Sequence, residues 1–297
     1  MRALPNSLAA ALASGTTTLC RCWQIDRRDG VTLGFTDHDR DLSFDGVLHL
    51  ADAALAAGAL ELSTGLGIDN QEVSGALSAD AIREEDILKG FYDGAAVRQY
   101  LVDWQDVASR ILLSAGQVGE VRRQGAVFEA EILGLAERLN RPFGRVYATS
   151  CAPQAGSPRL PHDPEDPALN GTGTVAEIVS EGVVLATGLE AHGEALFANG
   201  RIVWLTGANA GAEGYVRRHV IVGGQARLEL WNAPPLPAAA GDTFRAEAGQ
   251  VLCPEEHKAR HGDLIDYPGF PHMPGDDFAA GYPEEGGTHD GGSLFRS

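Results

Sequence analysis

Two stretches of this chain gather side chains that could do chemistry. The first is Gly34-Phe35-Thr36-Asp37-His38-Asp39-Arg40-Asp41, where Asp37, His38, Asp39 and Asp41 are all metal-ligand types. Such clusters hold divalent ions and activate water in metal-dependent hydrolases. The local spacing argues against that chemistry. Neighbouring residues of an extended segment point apart, so His38 is expected to face away from the three aspartates. No His-Glu-x-x-His pair occurs elsewhere in the chain. The preferred reading is a tight corner whose Asp and Thr side chains bond the backbone, with Arg40 paired to a carboxylate.

The second stretch is Cys253-x-x-x-His257-x-x-x-His261. On a helix these three positions share one face. Cys151 would complete a four-ligand set of zinc type. The cysteine pair of an ordinary zinc finger is missing, and the alternative is buried free cysteines with surface histidines. Cys20 and Cys22 are two apart in an expected strand. Their thiols share one face, opposite Arg21, and read as core filler. Four scattered cysteines make no disulfide scaffold, so reduced thiols and cytoplasmic assembly are expected.

No Gly-x-Ser-x-Gly elbow and no Gly-x-x-x-x-Gly-Lys phosphate loop is present. Gly171-Thr172-Gly173 and Gly207-Ala208-Asn209-Ala210-Gly211 read as loops. Trp204, Trp231 and Tyr215 could stack on sugars, as a carbohydrate-binding module would require, but aromatics in strands are more often core. No catalytic, cofactor-binding or metal-binding residue is therefore assigned, and no enzymatic activity is expected.

The elements around these residues read as mainly β. A short helix over Leu8–Ala13 ends at Gly15. Strands follow over 17–25 and 31–36, joined by a turn with Asp29-Gly30 at its tip. Phe44-Asp45-Gly46-Val47 repeats that hairpin signal. Leu60–Leu66 and Glu72–Gly75 are strand-like. Ser78–Tyr92 reads as a helix capped by Ser78, with Glu84, Glu85 and Asp86 in its middle, where the helix dipole gains little from them. Strands are expected over 96–104, 110–121, 126–133 and 145–149, with a short helix over 135–140. In the second half, Gly171–Ile178 and Val183–Leu185 begin a second β region, and hairpins are expected from Leu196–Phe197 through Asn199-Gly200 to 201–205, and from 215–222 through Gly223-Gly224 to 225–231. A strand over 244–247 and a helix over 253–261 close the pattern. This is not strand–helix alternation, which excludes a Rossmann-type or TIM-barrel fold.

The Pro- and Gly-rich stretch 153–170 is the best boundary. The expected organisation is a β-rich domain over 1–150, a loop over 151–170, a second β-rich domain over 171–275 and a Gly-rich tail over 276–297, ordered only against a neighbour. With 297 residues, 44% hydrophobic, the chain has material for two barrel-like cores. No run is long enough to span a membrane as a helix, so no stable membrane insertion is expected. The 23 basic and 41 acidic residues leave a net charge of −18, which disfavours free DNA binding.

Longer motifs carry a resemblance. Ser14-Gly15 through Gly34-Phe35-Thr36-Asp37-His38-Asp39 resembles the opening of the tail-tip (baseplate) hub proteins of siphophage-like prophages and gene transfer agents. Further matches are the run from Gly67 through Asp69-Asn70-Gln71 to Leu77, Tyr92-Asp93-Gly94-Ala95, Val102-Asp103-Trp104 and Gly116-Gln117-Val118-Gly119-Glu120. They continue with Leu139-Asn140-Arg141-Pro142, the run Leu205–Gly211, Ala240–Phe244 and Gly269–Gly275.

The resemblance implies a virion structural protein similar to the iron–sulfur tail-tip protein of phage lambda. It implies a homotrimeric ring-forming hub whose two related β domains per subunit adapt a sixfold distal tail protein and tube to a threefold fibre-like protein. A tail-associated peptidase is a further candidate partner. DNA would pass through the lumen without specific binding. The family's second domain carries four cysteines. Cys151 matches the first, whereas Leu160, Gln250 (with Cys253 three residues on) and His257 stand at the others. Thiolate ligation of a cluster needs four cysteines, so the iron–sulfur cluster is expected to be lost.

Overall fold

The computed structural model describes residues 4–15, 18–51, 55–57, 70–76, 82–124, 127–134, 165–249, 251, 253–262, 264–265, 267, 269–271 and 273. Helix α1 (Asn6–Ser14) ends at Gly15, whose φ of 74° is the left-handed stop that a Cβ would resist. It buries Leu8 against the first part of the chain, and its Ser7 hydroxyl meets that of Ser109 at 2.8 Å.

The strands β1 (Leu19–Asp26), β2 (Thr32–Thr36), β3 (Leu42–Phe44), β4 (Val47–Leu50), β5 (Leu55–Ala57), β6 (Asn70–Ala76), β7 (Ala96–Asp103), β8 (Asp106–Gln124) and β9 (Val127–Gly134) form one sheet. Its order is β3-β4-β2-β1-β7-β8-β9-β6-β5. The turn between β1 and β2 closes where expected. Gly30 takes a φ of 85°, and Arg27 N–H donates to Val31 O at 2.9 Å. The Arg27 guanidinium then grips Asp29 and reaches Asp86 at 2.8 Å, lying over the rings of Phe91 and Tyr92. Asp45 and Gly46, with φ of 51° and 76°, turn β3 into β4.

Strand β1 is covered on both faces. Cys20 and Cys22 pack with Leu42, Phe44 and Val102 on one side. Trp23 packs with Phe35, Tyr92, Val97 and Val118 on the other. The thiols are free and buried, as core filler should be.

The expected helix over Ser78–Tyr92 is shorter. Helix α2 spans Glu84–Leu88, and Arg83 before it is extended at φ −97°, ψ 139°. Ser78 lies outside the described residues. Glu84, Glu85 and Asp86 therefore form the first turn, where their charge does favour the helix N-terminus.

The second region is a closed barrel. Strands β10 (Asn170–Ser180), β11 (Val183–Thr187), β14 (Gln225–Leu230), β13 (Glu213–Val222), β12 (Arg201–Trp204) and β15 (Thr243–Glu247) follow in that order, and β15 pairs back to β10. Its interior holds Trp204, Phe244, Ile202, Leu228, Val216 and Phe197, each 1% exposed or less.

The strands expected to begin at Gly171 and Val183 are β10 and β11, so the strand reading of Gly171 and Gly173 holds and the loop reading fails. A Cβ there would come within 2.5 Å of Leu189 and 2.6 Å of Phe244, so bare backbone makes room for the core. Leu196–Phe197 is not a strand but part of a turn-rich segment with Ala195 and Asn199 at φ 62° and 58°. That segment sends Phe197 and Leu189 into the barrel, while β12 pairs with β13 and β15 instead. Helix α3 (Pro254–His261) follows the barrel. The two related β domains implied by the resemblance differ in form among the described residues, one an open sheet and the other a closed barrel. Expected elements over 60–66, 135–140 and 145–149 lie outside the described residues.

Candidate functional site

The Thr36–Asp41 corner spends its polar groups on its own backbone. Asp37 Oδ1 accepts the Arg21 N–H at 2.7 Å, and Asp41 Oδ1 accepts the Ala51 N–H at 2.9 Å. The Thr36 hydroxyl donates to Arg21 O at 3.1 Å and accepts the His38 N–H at 3.2 Å. These bonds tie β2 and the run towards β3 to the flanking strands.

The expectation that His38 faces away from all three aspartates is overturned. The chain bends over 37–40 rather than staying extended, and His38 Nδ1 lies 3.1 Å from Asp39 Oδ1. Nδ1 already accepts the Arg40 N–H at 3.0 Å, so it has no proton for Asp39, which stays 84% exposed. The Arg40 guanidinium has no carboxylate within ion-pair reach among the described residues, contrary to the expected pairing. No group of three metal-ligand side chains forms a site among the described residues.

The Cys–His array does not assemble as drawn either. Cys253 is the extended residue before α3, at φ −128°, and is exposed. Pro254 at the first helical position starts the helix one residue later, so Cys253 is not on its face. His257 is not a surface histidine. It is fully buried and packs edge-on against Tyr267 at 5.4 Å. Cys151, Leu160 and Gln250, and the side chain of His261, lie outside the described residues.

At Cys22, the hydrogen bond with the adjoining Cys20 thiol and then burial push the thiol up, keeping it protonated. A protonated, buried thiol is neither a nucleophile nor a ligand.

The aromatic trio separates. Trp204 is core at 1% exposure, as expected. Trp231 and Tyr215 are 60% and 52% exposed, against the expectation of core. Both sit at one end of the barrel wall, where the Trp231 N–H donates to Tyr215 O at 2.9 Å.

The wall itself carries a ladder of ion pairs that sequence reasoning did not assign. Arg201 bridges Glu213 and Glu247, and Arg245 bridges Glu165 and Glu247. Alternation of exposed Arg and Glu in β12, β13 and β15 was the available signal, but the partners depend on register. The same holds for Asn209, which is fully buried in the Gly207–Gly211 turn. Its amide exchanges two hydrogen bonds with the Leu236 backbone, at 2.8 and 2.9 Å.

Contacts among the described residues join the sheet region to the barrel. Phe91 lies under Gly211, where a Cβ would come within 2.9 Å of its ring, and Arg28 reaches Glu213 at 3.8 Å.

The fold and its surfaces define a class: a β-rich protein of open sheet and closed barrel whose polar clusters bond its own backbone and neighbouring strands. The comparisons with known proteins carry this further. Residues 5–159 match the family model described as baseplate hub protein, N-terminal attachment domain. Residues 195–277 match a second model, phage conserved hypothetical protein BR0599. Among solved structures, a chain from the virion of a native gene transfer agent particle is 39% identical, with a TM-score of 0.88. The match covers 98% of this chain and 100% of that one. No curated protein matches. The chain belongs to the baseplate hub protein family.

Proposed function

We propose that this chain is the structural hub of a phage-like tail baseplate and has no catalytic turnover. It acts as a homotrimer at the tail tip that joins a sixfold distal tail protein and tube to a threefold fibre-like protein. It lines the channel through which DNA passes. A tail-associated peptidase is a further partner, and assembly takes place in the bacterial cytoplasm. The observation that carries this reading is the full-length likeness to a chain of the gene transfer agent virion.

Physical features fit the role. A threefold ring needs heterologous contacts that close on themselves. A net charge of −18 lets a polyanion slide past without sticking. The division into 1–150 and 171–275 around a 151–170 loop belongs to the same reading: among the described residues, the sheet's last strand ends at Gly134 and the barrel's first begins at Asn170.

The loss of the family's iron–sulfur cluster is part of the proposal. Its support is that Leu160 and Gln250 stand at two of the cysteine positions, and that Cys253 is exposed ahead of α3 rather than on it.

Mass photometry of the purified chain, with cryo-electron microscopy of particles, tests the hub. Trimers and threefold density at the tail tip are expected. A stable monomer that hydrolyses phosphoester or peptidoglycan bonds with a bound metal would sink the reading. Iron and sulfide analysis of the same sample is expected to find neither.

A further inference from the structure

The outer face of β13 and β14 carries a local excess of arginine in this acidic chain. There, three arginines share one carboxylate. Glu229 lies 2.8 Å from Arg217 and 3.4 Å from Arg227, and Arg218 stands opposite it in the β13–β14 register. Glu229 is 10% exposed, while the Arg217 side chain is 57% exposed. Elsewhere on the wall the arginines are matched, Arg201 by two glutamates and Arg245 by two. Beside this surplus of positive charge stand the exposed rings of Tyr215 and Trp231. Tyr, Trp and Arg are the residue types that dominate binding hot spots.

The chain contains a segment of complementary chemistry. Residues 274–297 hold Asp276-Asp277-Phe278 and Tyr282-Pro283-Glu284-Glu285, an aromatic beside an acidic pair twice over, with Arg296 the one arginine and no lysine. Helix α3 leads towards this segment and is anchored near the strip. The Arg260 guanidinium donates to Gly249 O at 2.5 Å. Gly249 packs against Gly200, whose carbonyl accepts the Val216 N–H at 2.9 Å, one residue from Arg217. The 24 residues after Met273 can span about 80 Å when extended, at roughly 3.3 Å each. Tethering also sets an effective concentration on the order of millimolar. A free polyanion such as DNA has no such advantage and meets the long-range repulsion of a chain at −18.

We propose that the acidic, aromatic segment 274–297 docks on the arginine–aromatic strip of its own chain formed by Tyr215, Arg217, Arg218 and Trp231. The acidic pairs neutralise the surplus arginines, and Phe278 and Tyr282 pack on the exposed rings. A single copy suffices, so the proposal stands or falls separately from the hub reading.

The test uses the full chain with Cys151→Ser and Cys253→Ser, which removes the exposed Cys253 thiol and Cys151 while the buried Cys20 and Cys22 stay unlabelled. A bimane fluorophore is attached at Ala279→Cys, and its quenching by tryptophan is read. Emission is expected to rise roughly twofold in Trp231→Phe, in Arg218→Glu, and when ~1 M salt shortens the screening length to about 3 Å. Trp104→Phe is expected to leave it unchanged. Quenching is expected to be independent of protein concentration. Emission unmoved by both Trp231→Phe and salt overturns the proposal, whether or not Arg218→Glu folds. Quenching that grows with concentration overturns it in favour of another copy's segment. Displacement of the segment by a short single-stranded DNA at low micromolar concentration overturns it in favour of nucleic acid.

Discussion

The sheet and the barrel handle the same problem, exposed strand edges, in different ways. The barrel closes β10 onto β15 and has no edge, and one interior takes every inward side chain from Trp204 to Phe244. Among the described residues the sheet stays open, and its edge strands there, β3 and β5, are each three residues long. Short edges give a neighbouring chain little to pair with. The open sheet also buries two faces rather than one, with Trp23 on one side of β1 and Cys20 and Cys22 on the other. Its outer strand β3 packs Leu42 and Phe44 with Cys20 and Cys22, and the Asp41–Ala51 bond adds a polar tie at the corner beside it.

The largest expected effects test whether the two cores are separate. Trp204→Ala in the barrel and Phe35→Ala in the sheet should each cost about 3–5 kcal/mol, the range for emptying an aromatic core position. Scanning calorimetry is expected to show each substitution lowering a different transition. If either lowers both equally, the sheet and barrel unfold as one unit, and the Phe91–Gly211 contact couples them.

Acid should weaken both regions, each through one buried histidine. Burial is the first cause holding His49 in the sheet and His219 in the barrel below the usual histidine range. For His219 the neighbouring His192 adds to it. Both are neutral when folded and take up protons more readily when unfolded. Their stability is therefore complete above pH 6.5, the unfolded value, and declines as the pH falls towards the lowered folded values. The decline is about 1.4 kcal/mol per unit of depression. Denaturant midpoints between pH 7 and 5 should fall for both regions. His219→Gln should flatten the barrel's dependence alone, and His49→Gln the sheet's. A flat wild-type profile would remove these histidines from the account.

A smaller effect is expected at the corner. Asp37→Ala removes the acceptor of the Arg21 N–H at an exposed corner and should cost about 0.5–1.5 kcal/mol in the sheet transition only, with Asp37→Asn recovering part of it. The smallest belongs to the barrel's ion-pair ladder. Arg201→Met should change stability by less than ~1 kcal/mol, because the pair is partly exposed and screened. A loss as large as that of Trp204→Ala would mean the wall, not the interior, carries the barrel.

Much of the fold was legible because turns are local. Asp29-Gly30, Asp45-Gly46 and Gly223-Gly224 each need left-handed backbone, and each glycine takes a positive φ where expected. The misses share a cause. Leu196–Phe197 resembles a strand by composition, yet it is a turn that fills the barrel. Gly171-Thr172-Gly173 could be read as a loop or as the start of a strand, and the strand holds because Leu189 and Phe244 pack over both glycines in β10. The site residues divide the same way. The backbone-bonding role of Asp37, Asp41 and Thr36 was readable from residue type. The bend bringing His38 to Asp39, the burial of His257 and the exposure of Trp231 and Tyr215 were not.

The sequence by itself determined the hairpin turns, the mainly β character, the acidic balance and, through long ordered motifs, membership of the hub family. These properties depend on neighbours along the chain or on composition. Only the tertiary structure decided which strands close and which remain edges, which aromatics face water, and which arginines find a carboxylate. Those outcomes depend on register and closure between residues far apart in sequence. A shift of one residue in a strand turns every side chain to the other face.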